Sequence, residues 1–223
     1  MTLDAFRLPQ LGYDRFLIMV ARMTSPTARR TPGRPRAFSE EKVLNQAIRL
    51  FSASGYTATG ISELSKATRL TAGSLYKAYQ DKEGIFVKAL GCYIEQRETE
   101  LAALLDVAAN SREAVAILLK YYARLSQGEE GKLGCLIVSG INELPQFSAA
   151  ADVLRKQLRR RHTLLTSLVE QGIAEGSIAT PCDAAVIADL LLTLLYGMRV
   201  IGKAQAFSSD ADAFVAQALK MLD

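Results

Sequence analysis

The placement of proline is the feature that most restricts the fold of this chain. Its 6 prolines lie at positions 9, 26, 32, 35, 145 and 181, so the long stretch from Arg36 to Leu144 contains none. A proline inside a helix removes a backbone hydrogen bond and clashes with the preceding turn. A proline-free stretch of this length therefore favours a series of uninterrupted helices.

The spacing of apolar residues supports the same fold class. Apolar side chains recur three or four positions apart almost throughout, as in Val43, Ala47, Ile48 and Phe51, and no segment alternates with period two between turn residues. We predict an all-α chain of about nine helices. They span residues 40–54, 61–67, 71–79, 82–100 or beyond, 111–127, 134–144, 148–175, 183–203 and 209–222, the last opened by a capping box of Ser209 and Asp212.

The charge is unevenly distributed along the chain. The whole sequence has 27 Lys and Arg against 23 Asp and Glu, and this net charge of +4 is too small for a polybasic coat protein. Residues 1–90 nevertheless carry 14 basic and 7 acidic side chains, whereas residues 91–223 carry 13 basic and 16 acidic ones. The N-terminal part is therefore suited to an anionic partner.

The cysteines and the single histidine argue against several classes of protein. Cys92, Cys135 and Cys182 lie far apart and form neither a disulfide framework nor a CxxC metal knuckle, and His162 is the only histidine. We expect no metal, no cofactor and a reducing cytoplasmic location. No nucleophile elbow, HExxH, phosphate-binding loop or dinucleotide fingerprint indicates an enzyme, so we expect no catalytic residues.

The N-terminal apolar run is too short for an export signal, and one later segment must be weighed as a membrane span. Residues 184–201 are strongly apolar, but Asp189 and Arg199 interrupt them. We interpret this segment as a buried helix and expect no membrane partner.

Two short predicted helices at residues 61–67 and 71–79 lie in the basic part of the chain and are joined by a turn of three to four residues. This is the geometry of a helix-turn-helix, whose second helix lies in the DNA major groove.

The residues around these helices are more specific than their spacing. They read, in order, Gly33-Arg34-Pro35-Arg36, Ala47, Leu50-Phe51, Gly55-Tyr56-x-x-Thr59-Gly60-Ile61-x-x-Leu64-x-x-Ala67 and Leu70-Thr71-Ala72-Gly73-Ser74-Leu75-Tyr76-x-x-Tyr79-x-Asp81-Lys82-x-x-x-Phe86. Residues 33–90 thus resemble the DNA-binding domain of the tetracycline-repressor (TetR/AcrR) family.

The resemblance implies an N-terminal three-helix DNA-binding domain and a C-terminal helical domain for ligand binding and dimerisation. The corresponding division is residues 1–36 as an N-terminal segment with a basic arm, 37–84 as the helix-turn-helix domain and 85–223 as the regulatory domain. The implied function is a ligand-responsive repressor that binds a palindromic operator in double-stranded DNA as a homodimer and is released by a small molecule. We expect residues 1–22 to be dispensable for folding and DNA binding.

The candidate DNA-binding residues have distinct expected roles. Thr71 caps the second helix, Gly73 allows close approach of the backbone, and Ser74, Tyr76 and Lys82 contact phosphates. Lys77 is placed to read guanine and Ala72 to contact a thymine methyl. The candidate set is completed by Thr59 from the family motif, by Arg69, and by Arg34 and Arg36 of the arm.

Three of these positions leave alternatives open. The family usually has glycine where this chain has Arg69, so either the turn differs or the side chain compensates by touching the DNA backbone. Arg34 and Arg36 either enter the minor groove or belong to a solvated tail. Tyr76 is expected at a phosphate, whereas Tyr79 is expected in the core.

The regulatory half yields two further sets of candidates. The predicted dimer interface consists of Leu190, Leu194, Met198, Phe214 and Ala218, with burial inside a monomer as the alternative. The candidate ligand-pocket residues are Tyr121, Tyr122, Cys135, Ser139, Asn142, Glu143, His162 and Arg199. Cys135, near a predicted helix N-terminus, is either a reactive thiolate or a buried structural cysteine, and we favour the second. A DNA-binding scaffold without a ligand is the remaining alternative.

Overall fold

The computed structural model describes residues 39–223, and every regular element within them is helical. The α-helices are α1 Glu40–Ser54, α2 Ile61–Thr68, α3 Ala72–Tyr79, α4 Lys82–Leu105, α5 Ser111–Leu125, α6 Gly128–Leu133, α7 Leu136–Asn142, α8 Ala149–Glu175, α9 Ala184–Lys203 and α10 Ala211–Ala218. Short 3-10 helices follow α7 at Leu144–Gln146 and α10 at Leu219–Leu222. The predicted all-α fold is confirmed.

Side-chain caps determine where several helices begin. An oxygen of each capping residue accepts a hydrogen bond from a backbone N–H in the first turn of its helix, which satisfies a donor that has no partner within the helix. The caps are Thr71, Asp81, Asn110, Asp183 and Asp210.

Three details of the sequence prediction are wrong for local reasons. Asp210, rather than a capping box from Ser209 and Asp212, caps α10. Helix α7 ends at Asn142, before Pro145, which lies in a 3-10 helix. Helix α6, at 6 residues, is too short to show apolar periodicity.

The core is continuous between the first three helices and the elements that follow. Phe86 of α4 lies with its ring centroid 5.1 Å from Phe51 of α1, 5.4 Å from Tyr56 and 4.8 Å from Phe147, which precedes α8. Tyr79 is buried, as expected, at the end of α3. A Cβ on Gly84 would lie 1.9 Å from the carbonyl oxygen of Tyr79, so only glycine permits the close approach of α3 and α4.

In the C-terminal half, α8 packs along α9, α5 and α4 around a buried polar group. Arg161 of α8 is 2% exposed and pairs with Glu98 of α4, and Gln157 donates a 2.8 Å hydrogen bond to the same carboxylate. This guanidinium therefore has a negative partner inside the protein, as a buried charge requires.

Helix α9 is, among the described residues, the one helix long and apolar enough to span a membrane by length and composition alone. Its inner face is buried against the rest of the chain, but its outer face is not covered. The apolar side chains exposed on that face are Val186, Leu190, Val200 and Ile201, and we call them, with the half-buried Leu194, the α9 stripe. Within the single chain, the helix predicted to be buried is therefore buried on its inner face only.

Candidate functional site

Helix α3 is anchored on one side and open on the other. Leu75 and Tyr79 are buried in the core. The Thr71 hydroxyl oxygen accepts a 3.2 Å hydrogen bond from the backbone N–H of Ser74, so Thr71 caps the helix as the sequence predicted. The other side of α3 and its cap carry six of the predicted DNA-binding residues at exposed or half-buried positions. These are Thr71, Ala72, Gly73, Ser74, Tyr76 and Lys77, and we call them the α3 surface.

The α3 surface combines hydrogen-bond donors with a close backbone. Tyr76 is 45% exposed, and Lys77 beside it is also exposed. No atom lies within 4 Å of the position that a Cβ on Gly73 would occupy, so nothing in the described chain blocks the first turn of the helix. Free N–H groups and a hydroxyl in the first turn of the helix, together with the Lys77 ammonium in its last turn, form a surface suited to phosphates.

The turn before α3 keeps left-handed geometry although it carries an arginine. Arg69 has φ 59° and ψ 30°, and its side chain is exposed. The alternative in which the turn changes shape is thus excluded. A left-handed backbone destabilises the fold by about 1 kcal/mol when the residue is not glycine. The remaining alternative is that the Arg69 side chain compensates for this cost by contacting the DNA backbone.

Thr59 and Lys82 are placed differently from the α3 surface. Thr59 is 1% exposed, and its hydroxyl donates a 2.6 Å hydrogen bond to the Gly55 carbonyl. Lys82 Nζ donates to the Thr59 carbonyl at 3.1 Å and lies 4.2 Å from the centroid of the Tyr56 ring. The Thr59 hydroxyl is therefore occupied, and Lys82 ties α4 to the loop between α1 and α2.

The two candidates of the basic arm, Arg34 and Arg36, lie outside the described residues, so the choice between a minor-groove arm and a solvated tail stays open.

Three side chains, one in α7, one directly after α7 and one in α9, bind the end of α1 or the turn that follows it. Glu143, directly after α7, accepts hydrogen bonds from the backbone N–H of Tyr56 at 2.7 Å and of Thr57 at 2.8 Å, and also from the Thr57 hydroxyl. Ser139 and Lys203 complete the group, which we call the α1 clasp.

The two other members of the α1 clasp bind carbonyl groups. The Ser139 hydroxyl donates to the Phe51 carbonyl at 3.1 Å, and Lys203 Nζ donates to the Ser52 carbonyl at 2.7 Å. The last carbonyls of a helix lack partners within it and carry partial negative charge, so an ammonium is favourable there. The clasp therefore fixes the C-terminal end of α1, to which the helix-turn-helix is attached.

The clasp also changes the acidity of its carboxyl group. Burial by itself would raise the pKa of Glu143. The hydrogen bonds from the Thr57 hydroxyl and from the backbone N–H groups of Thr57 and Tyr56 outweigh that effect, helped by the Lys82 charge, and hold its pKa below the ordinary value. Glu143 thus remains ionised while the clasp is formed.

A cleft of about 400 Å³ opens beside the clasp. Five of the eight pocket candidates from the sequence analysis line it, namely Cys135, Ser139, Asn142, Glu143 and Arg199. Lys203 lines it as well, as do Ser54 and Gly55 at the end of α1. Sequence reasoning missed Lys203, since no local signal connects this position in α9 with α1.

The other three pocket candidates lie elsewhere. The Tyr121 hydroxyl donates to Glu100 at 2.6 Å, and the buried Tyr122 ring lies 6.0 Å from that of Tyr196. His162 Nε2 is 3.2 Å from an oxygen of Asp189, linking α8 to α9. These contacts account for the three side chains without a ligand.

Arg199 is the least usual residue of the cleft. It is 1% exposed, and its Nη2 donates hydrogen bonds to the carbonyls of Gly134 at 2.7 Å and Glu130 at 3.3 Å. Within residues 39–223 its Nε and Nη1 have no hydrogen-bond partner, and no carboxylate there forms an ion pair with it. A buried guanidinium in this state keeps unused donors and an uncompensated charge.

Cys135 is buried, which agrees with the expectation of a buried structural cysteine. Its sulfur accepts a 3.6 Å hydrogen bond from the Tyr93 hydroxyl, and it is the residue that precedes α7. Over the described part of the chain, no group of three or more His, Cys, Asp or Glu side chains could hold a metal ion.

The candidate interface residues separate into two environments. Leu190 and Leu194 belong to the outward α9 stripe. Met198 and Ala218 are buried within their own chain, and Phe214 packs on Phe207 with ring centroids 5.3 Å apart. An apolar pattern in sequence does not distinguish the side of a helix that meets its own chain from the side that remains open.

The family model for bacterial regulatory proteins of the tetR family matches residues 43–89. The HTH-type transcriptional repressor ComR of Escherichia coli K12 is 28% identical over 77% of this chain and 83% of its own length. The repressor BdcR of the same organism is 29% identical over 63% of this chain and 76% of its own.

A solved structure is similar over a larger part of the chain. It is the TetR family transcriptional regulator CifR, a cysteine mutant in complex with 26-bp double-strand operator DNA. Its sequence is 31% identical, its TM-score is 0.76, and the match covers 86% of this chain and all of that one.

The strained turn leads to the first prediction. We expect Arg69→Gly to raise the free energy of unfolding by up to about 1 kcal/mol over that of Arg69→Ala, because only glycine relieves the left-handed backbone at this position. Both variants remove the charge, so their difference in urea unfolding isolates the backbone contribution. Equal stabilities would show that the turn is not strained.

The clasp leads to a prediction on pH. A carboxyl group whose pKa is lowered by folding contributes stability that is complete above its ordinary pKa and is lost as the pH falls through its folded pKa. Glu143→Gln should therefore lower the stability by about 1 kcal/mol at pH 7 and reduce the loss of stability on acidification below about pH 4.5. Urea unfolding measured from pH 7 to pH 3 tests this, and an unchanged acid slope would contradict it.

Proposed function

The chain belongs to the TetR family of bacterial regulatory proteins, and on that premise we propose that its α3 surface reads an operator whose occupancy is controlled from the cleft beside the α1 clasp. Membership makes the protein a ligand-responsive, DNA-binding transcriptional repressor. Its relatives are regulators, and we assign this chain no catalytic activity and a cytoplasmic location, where operator DNA is found.

The proposal rests on the way in which α3 is buried on one side and open on the other. Its buried side is fixed in the core by Leu75, and its capped N-terminus presents donors and an open glycine on the exposed side. Ser74 and Tyr76 are suited to phosphates and Lys77 to a base edge. We retain Lys82 as a phosphate contact through its remaining ammonium hydrogens. We omit the side chain of Thr59, whose hydroxyl is occupied.

The proposed division of labour follows the one predicted from sequence. Residues 37–84 bind DNA and residues 85–223 bind the ligand and the second subunit. A DNA-binding scaffold without a ligand is disfavoured because the cleft contains Arg199, a buried cation with no negative partner among the described residues.

The proposed dimer contact is the α9 stripe. Its apolar side chains follow one another along a single face of α9, and Leu190 is 49% exposed in the single chain. An exposed apolar face of this kind is characteristic of an interaction surface. A second copy is the proposed occupant because a two-fold dimer presents two α3 surfaces to the two halves of a palindromic operator.

The role of α3 is tested by base selectivity. An operator is first recovered by selection from a random DNA pool. Lys77→Ala should then cost about 1–3 kcal/mol at one operator position and relax the base preference there. Lys132→Ala, which removes an exposed lysine outside the helix-turn-helix, should change neither. Fluorescence anisotropy with single-base operator variants measures both effects, and a uniform loss for all sequences would refute base reading by Lys77.

The dimer contact is tested by placing a charge on the stripe. Leu190→Asp should convert the dimer to a folded monomer, because the carboxylate would be buried without a partner at the interface. Val107→Asp places the same charge on a side chain that is 76% exposed and outside the stripe, so this variant should stay dimeric. Sedimentation velocity compares the two, and a dimeric Leu190→Asp protein would refute the interface.

A further inference from the structure

We propose that the cleft beside the α1 clasp binds a small organic monocarboxylate whose charged group is held by the positive potential of Arg199 and Lys203. The inference deepens the proposed function and rests on it only for the step in which the ligand weakens DNA binding. The chemical class of the ligand follows from the side chains of the cleft.

The two buried arginines of the C-terminal half differ in their charge partners. Both keep Nε and Nη1 without a hydrogen-bond partner among the described residues, but Arg161, 2% exposed, pairs with Glu98 inside the protein. Arg199, 1% exposed, contacts only carbonyl oxygens and has no ion-pair partner within residues 39–223. Removing a guanidinium from water is costly unless a negative group compensates its charge. Arg199 lines an open cleft, so an anion entering that cleft supplies the missing compensation.

The side chains that line the cleft carry a net positive charge. Arg199 and Lys203 are its two cations and Glu143 is its carboxylate. The oxygens of Glu143 already accept three hydrogen bonds from the turn after α1. One positive charge is left over, which a single carboxylate neutralises, whereas a phosphate monoester carries about −1.5 to −2 at pH 7 and exceeds it.

The size and the lining of the cleft restrict the ligand further. About 400 Å³ lies at the small end of the range for ligand sites, roughly 300–1,000 Å³. Val138, Val200 and Ala204 supply apolar surface, and Ser139 and Asn142 supply hydrogen-bonding groups. This combination suits a compact ring or branched chain that carries one carboxylate.

The position of the cleft links the ligand to the DNA-binding helices. Lys203 binds the Ser52 carbonyl at the end of α1 through its ammonium group. A carboxylate in the cleft competes with that carbonyl for the ammonium and so loosens one arm of the α1 clasp. By thermodynamic linkage, an anion that weakens DNA binding must itself bind less tightly to the DNA-bound protein.

The experiment uses the full chain, with benzoate as the monocarboxylate and benzamide as its neutral analogue of the same shape. We expect benzoate to raise the melting temperature and to bind saturably in calorimetry, and benzamide to do neither. Asn142→Asp adds a negative charge at an exposed cleft position and should weaken benzoate binding at least about tenfold. Gln217→Glu makes the same amide-to-acid change on exposed α10 and should leave binding unchanged.

The outcomes separate the site from its regulatory effect. Absence of benzoate binding, an equal response to benzamide, or equal behaviour of the Asn142→Asp and Gln217→Glu proteins would overturn the carboxylate site. Benzoate binding with the expected response of the variants establishes it. Operator affinity is measured in parallel by anisotropy, so carboxylate binding without any change in that affinity would refute the proposed ligand control while the site stands.

Discussion

Packing around Phe86 is the constraint on which the arrangement of this chain depends. Its ring contacts Phe51 at the end of α1, Tyr56 in the following loop and Phe147 before α8. Aromatic rings bury large apolar areas and prefer definite edge and stacked geometries, so they hold these elements at fixed angles as well as together. The first turns of α4 therefore belong to the core of the helix-turn-helix and to that of the regulatory helices at once.

The α1 clasp adds direction to this apolar contact. The hydrogen bonds of Glu143 to two successive backbone N–H groups are directional and require one position of the turn after α1. The same side chains form a wall of the cleft. A molecule bound in the cleft would meet the groups that hold the turn after α1, and this is the physical basis of the proposed coupling between ligand and DNA binding. Glu143 and Lys203 both line the cleft and bind this end of α1, so no long relay of residues between the cleft and the helix-turn-helix is needed.

Sequence reasoning succeeded where the decisive interactions are local. The start of α3 follows from Thr71 and that of α4 from Asp81, because a capping side chain reaches only the next few residues. The positions of the α3 surface could be named for the same reason, since periodicity within one helix separates the buried Leu75 from its exposed neighbours. Assignments that depend on distant partners were less complete. Lys203 and Ser52 are 151 positions apart, and nothing near either residue indicates that they meet.

The sequence by itself determined most of the helices, the caps of α3 and α4 and the motif that identifies the DNA-binding end, because these depend on spacing and backbone chemistry within a few turns. Only the tertiary structure decided which apolar residues of α9 face outward, so that Leu190 is exposed and Met198 buried. It also decided that Arg161 has a carboxylate partner and that Arg199 has none within the described residues. Burial and ion pairing are properties of the neighbours that folding brings from far along the chain, and a helical pattern is the same whether those neighbours are present or not.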